Sequence, residues 1–133
     1  MFLHDLSPEQ RRAFLVLARN VIDADHRLAI QELERLDRLY FEAGVGTETA
    51  SAPSTAGDLH VLFGTGRSRV SVLLELILVA YADGRLHPKE VESIRSVAAN
   101  LRVDAGVFEN ALDWGRRHQE LLEEAESLGA GVA

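Results

Sequence analysis

Ala82-Asp83-Gly84-Arg85-Leu86-His87-Pro88-Lys89-Glu90 is the stretch that decides the fold, because its pattern is present twice. Fifty-eight residues earlier the chain reads Ala24-Asp25-His26-Arg27-Leu28, and Glu32 completes the same spacing. Each copy is Asp, one residue, Arg, Leu, three residues, Glu. The correspondence runs outward, pairing Leu33 with Val91 and Leu36 with Ile94, and upstream Leu15 with Leu73 and Val21 with Val79. A repeat of this length predicts one helical unit used twice. It also predicts carboxylates held at two equivalent turns.

Helical spacing surrounds both turns. Ser7-Pro8-Glu9-Gln10 has a capping residue, Pro at the first helical position and Gln to close a capping box. Phe14, Leu15, Ala18, Val21 and Ile22 then recur at helical intervals. After the first turn the pattern resumes with Leu33, Leu36, Leu39 and Tyr40 and closes at Gly44. Ser68 is placed to cap a third helix through Leu73, Leu74, Ile77, Leu78 and Tyr81. After the second turn, Pro88 opens a helix whose apolar face is Val91, Ile94, Val97 and Ala98. Asp104 starts the last, with a stripe of Phe108, Ala111, Leu112, Gly115, Leu122 and Ala125, ending near Leu128-Gly129. The region between Gly44 and Arg67 is rich in Gly, Ser, Thr and Ala and reads as a connector, with a short helical turn at Asp58–Phe63. No segment alternates with the period of a strand. The expectation is all-α over residues 1–133 as one domain. Its halves lie at about 7–44 and 68–103, the linker at 45–67, and a C-terminal helix at 104–128.

Composition limits the function. With 133 residues the chain can bury a core without staples. A net charge of −7 argues against binding nucleic acid or anionic lipid. There are no cysteines, so thiolate metal sites and sulfur redox chemistry are excluded, and the cytosol is a compatible compartment. The longest apolar run, Val70 to Ala82, contains Ser71 and Glu75 and is too short to span a bilayer.

Asp at the end of one helix and Glu near the start of the next are oxygen donors suited to calcium or magnesium. Asp83, Gly84, Leu86 and Glu90 match the back half of an EF-hand loop, but Tyr81 and Val79 stand where its first ligands belong. The competing reading is that the acids only cap helices and pair with Arg27 and Arg85.

The run Ala82-Asp83-Gly84-Arg85-Leu86, with Pro88 and Glu90, lies between a buried helix and an amphipathic one. In this it resembles the TerB-like family, named for the tellurite-resistance protein TerB. The resemblance covers Leu15 to about Leu101 and extends toward Phe108. It implies a helical bundle of two similar halves, with acids from both near one face and proposed to bind a divalent metal. Carried onto this chain, the metal residues are Asp25, Glu32, Asp83 and Glu90. The chain departs at His26, where Gly is usual. Family members are linked to tellurite, phage and metal stress.

Other signals are weaker. Gly64-Thr65-Gly66-Arg67-Ser68 could cradle a phosphate but lacks the Lys of a P-loop, and reads better as a linker ending in a cap. His4, His26, His60, His87 and His118 form no paired metal signature, and no Glu-x-x-His suggests a di-iron bundle. No Ser, His and acid group by spacing into a hydrolase site. Trp114 and Tyr40 read as core or rim aromatics. The sequence therefore predicts a non-enzymatic domain that binds a divalent cation or a partner protein at an acidic face during a stress response. The alternative is a metal-independent interaction module. A protein partner is expected, nucleic acid and membrane insertion are not, and a homodimer is allowed.

Overall fold

Ser7 and Gln10 close the first helix start as expected. The Gln10 N–H donates to Ser7 Oγ at 3.2 Å, and the Ser7 N–H donates to Gln10 Oε1 at 2.9 Å. In the computed structural model, which describes residues 2–23, 59–82 and 84–132, a 3-10 turn at Leu3–Asp5 precedes α1 (Pro8–Asp23). Then come α2 (Leu59–Leu62), α3 (Gly66–Ala80), α4 (Pro88–Asn100) and α5 (Ala105–Ala130). No strand is present among the described residues, and the fold is all-α. The first acidic turn and the helix expected after it fall at positions 24–44, outside the described residues, and with them the superposition of two halves.

α3 is the centre. Ten of its 15 residues are buried, on every side of the helix. That follows from a sequence that is apolar all round, which a surface helix does not tolerate. α1, α4 and α5 each pack against it, and so does the N-terminal 3-10 turn. α1 contributes Phe14, Leu15, Ala18, Val21 and Ile22, all at or below 1% exposure. The spacing of these residues puts them on one stripe.

Two readings of the 59–68 region need correction. Ser68 does not cap α3. Thr65 does, with its hydroxyl accepting the Ser68 N–H at 3.1 Å, while the Thr65 N–H donates to Ser68 Oγ at 3.2 Å. Two hydroxyls three residues apart form a reciprocal box, and the first of them takes the cap. The helical turn at 59–62 is present as expected, but it is more than a detail of a connector. Leu59 and Phe63 enter the main core at 2% and 0% exposure. Arg69 reaches back to it, donating to the Phe63 and His60 carbonyls at 2.7 and 2.9 Å. Those are the acceptors a helix end leaves open.

α4 ends in a left-handed residue, Arg102, at φ 57°. The Val103 N–H bonds the Ala98 carbonyl at 2.9 Å and the Arg102 N–H bonds that of Ala99 at 3.0 Å. This is a Schellman ending with Arg where Gly is usual. Asp104 then caps α5 through the Gly106 N–H at 2.7 Å, as the sequence predicts. α5 runs to Ala130, two residues beyond the expected end. It meets α3 at Gly115, where a Cβ would collide with Ile77 Cγ2 and lie 3.3 Å from Tyr81 Cε2. Glycine permits that close crossing.

Candidate functional site

The turn joining α3 to α4 starts as a helix end. The Tyr81 N–H bonds the Ile77 carbonyl at 3.0 Å, and the Gly84 N–H bonds that of Tyr81 at 2.8 Å. Gly84 has φ +88°, a left-handed conformation that explains why Gly follows Asp here. His87 takes extended backbone before Pro88, which fixes the first helical position of α4. Glu90, three residues on, folds back toward His87. Its Oε1 accepts the His87 N–H at 3.3 Å and lies 3.9 Å from His87 Nε2.

Glu90 is fully buried. It occupies the same face of α4 as Ile94, Val97 and Ala98, at helical spacing. A buried carboxylate is tolerated only where donors or positive charge converge on it. Carboxylate oxygen and imidazole nitrogen are both donor types that a metal can use. Of the four acids predicted from the repeat, Glu90 alone lies in the described residues. Asp25, Glu32 and Asp83 lie outside them. Among the described residues, no three His, Asp or Glu side chains group so as to hold a metal ion.

α5 borders the turn. Gln119 Nε2 lies 3.9 Å from where a Cβ on Gly84 would stand. Arg116 donates to Asp113 at 2.6 Å and to Glu120 at 2.7 Å, and Arg117 donates to Asp113 at 3.0 Å. The Arg116 hydrogen bond holds the Asp113 carboxyl below its ordinary range. Burial raises the Tyr81 phenol above its usual value, partly opposed by Arg116. The phenol beside the turn is therefore neutral at physiological pH.

A second acid is buried outside the repeated turns. Glu75 lies at 0% exposure in the middle of α3, and its Oε1 accepts the Phe2 N–H. The signal was present in the sequence as a lone acid inside the apolar run Val70–Ala82. The phosphate-cradle reading of residues 64–68 loses ground, because the Ser68 N–H is already given to Thr65.

The family profile described as tellurite resistance protein TerB matches residues 46–113, just over half of the chain. The chain belongs to the TerB family. The matched span of this TerB domain holds α2, α3, α4, the second acidic turn and the start of α5. The first copy of the repeated turn precedes it. Comparison with curated proteins and with solved structures returned no match.

Proposed function

We propose that this TerB domain acts by binding rather than catalysis. In this reading a divalent cation, calcium or magnesium, engages the acidic face formed by Asp83 and Glu90 with Asp25 and Glu32. A partner protein docks there with or without the metal. The setting is a cytoplasmic response to tellurite, metal or envelope stress.

One observation supports the reading above the others. The span matched to the family includes residues 83–90, and Glu90 is fully buried at the start of α4. A hard cation would supply positive charge where carboxylate burial makes it most effective. Its binding would also relieve repulsion among clustered acids, and binding only the folded state would stabilise it.

Calorimetric titration with calcium, magnesium and zinc tests this, paired with thermal unfolding. Metal at a hundred times its dissociation constant should add about 2.7 kcal/mol to stability. Asp83→Asn with Glu90→Gln should abolish the gain and leave the metal-free domain folded, since Gln retains an acceptor for the His87 N–H. Asp25→Asn with Glu32→Gln should do the same if both turns serve one site. No saturable binding by the parent protein would return the acids to helix caps and ion-pair partners.

A further inference from the structure

Among the described residues, the bundle grips α5 only over its first half. Phe108, Ala111 and Gly115 are its buried residues, and every residue from Glu120 to Val132 is exposed. The exposed half is still amphipathic. Trp114, His118, Leu121, Ala125, Leu128 and Val132 follow one another at intervals of four, three, four, three and four. That rhythm keeps one line along a helix. Leu121, Leu128 and Val132 are 64%, 69% and 78% exposed, and Leu122 beside them is 48% exposed. The line starts against the body of the domain, where the Trp114 ring lies 5.9 Å from Phe2 and 5.2 Å from His118.

Single exposed leucines need no explanation, whereas a continuous stripe that no described residue covers does. Charge selects its occupant. From Gln119 to Val132 the chain carries Glu120, Glu123, Glu124 and Glu126 and no Lys or Arg. Arg116 and Arg117, just before this stretch, are already engaged by Asp113 and Glu120. At 3.6 residues per turn, Glu124 and Glu126 fall on the two edges of the apolar sector. A second copy pairing through this segment would set acid against acid in either direction, and anionic lipid would be repelled in the same way. A helix with Lys or Arg beside its own apolar stripe matches both features.

We propose that residues 114–132 of α5 dock a cationic amphipathic helix of another protein. The proposal does not depend on metal binding at the α3–α4 turn. Trp114 is the only tryptophan in the chain, so its fluorescence reports on the head of the stripe. The probe is a synthetic helical peptide with leucines at intervals of three and four, flanked by lysines. The controls are a scramble of the same composition and a version with glutamate in place of lysine.

The lysine peptide should bind saturably and shift Trp114 emission, while neither control binds. Leu121→Ser with Leu128→Ser should weaken binding roughly tenfold or more, as expected for removing two buried leucines. Glu124→Gln with Glu126→Gln should weaken it and flatten its salt dependence. Both pairs are exposed, and circular dichroism and melting temperature should match the parent. Equal binding of the scramble, or of the leucine variant, overturns the proposal. So does concentration-dependent dimerisation of the parent that the leucine variant abolishes. Binding to phosphatidylcholine vesicles lost in the leucine variant overturns it in favour of a membrane surface.

Discussion

α3 and α5 are neighbours in contact, yet they use their leucines in opposite ways. α3 buries ten of 15 residues, and α5 buries three of 26. Both carry apolar residues at helical spacing. The difference is how many sides are occupied. Among the described residues, α3 is covered by α1, α4 and α5 together, whereas α5 is buried only in its first half. Helical periodicity reveals which residues share a face. It does not reveal whether that face has a neighbour, because the neighbour is set by the rest of the fold.

The sharpest way to break this contrast is one substitution made in both helices. Leu76→Ala in α3, at 0% exposure, should cost about 2–5 kcal/mol. Leu128→Ala in α5, at 69% exposure, should change stability by no more than about 0.5 kcal/mol. Urea unfolding with an unchanged slope checks both. Comparable losses at the two sites would mean that α5 is covered in solution.

Gly115→Ala probes the place where the two helices meet. Alanine favours helix by about 1 kcal/mol over glycine. Here its methyl would collide with Ile77, and overpacking of this kind costs about 1–3 kcal/mol. A net loss is therefore expected, with a gain appearing only if α5 stands off from α3. Thr65→Ala removes the cap of α3 and should cost about 1 kcal/mol. Its effect belongs to α3 alone and should leave binding at the α5 stripe unchanged.

The smallest expected effect lies on α5. The Arg116 hydrogen bond lowers the Asp113 pKa below 3.8, so the folded state binds fewer protons than the unfolded state near that pH. The contribution is present above the unfolded value and disappears as pH falls through the folded one. Asp113→Asn should be slightly less stable than the parent at neutral pH and equal to it in strong acid. Added salt should shrink the difference, because the carboxylate is exposed. Melting temperatures of the two proteins from pH 7 to pH 2 measure this.

What could be read from the sequence was local. Ser7 with Gln10, Pro88 at the first position of α4, and Asp104 are helix starts set by residues close in sequence, and each is found where expected. At the start of α3 the sequence offers two hydroxyls able to cap, Thr65 and Ser68, and the structure uses Thr65. Long-range consequences were harder to see. Glu75 meets a backbone N–H 73 residues away in sequence. Leu59 and Phe63 are anchored into the core from a stretch whose Gly and Ser content reads as linker. The apolar stripe of α5 runs on through Leu122 and Ala125, but burial stops at Gly115. At the candidate site, the repeat pointed to Glu90, which lies buried at the start of α4. The same pattern could not distinguish a ligand from a cap, since both need an acid three residues into the helix.

Gly115 has a mechanical consequence. It is the last buried residue of α5, and the helix runs fifteen residues further, to Ala130. At 1.5 Å per residue that arm is about 22 Å long. The helix is a lever with its fulcrum at a glycine. A tilt of about 10° there carries the far end through about 4 Å on this geometry. Ile77 and Tyr81 flank the crossing, so a tilt of α5 there would meet those two side chains first.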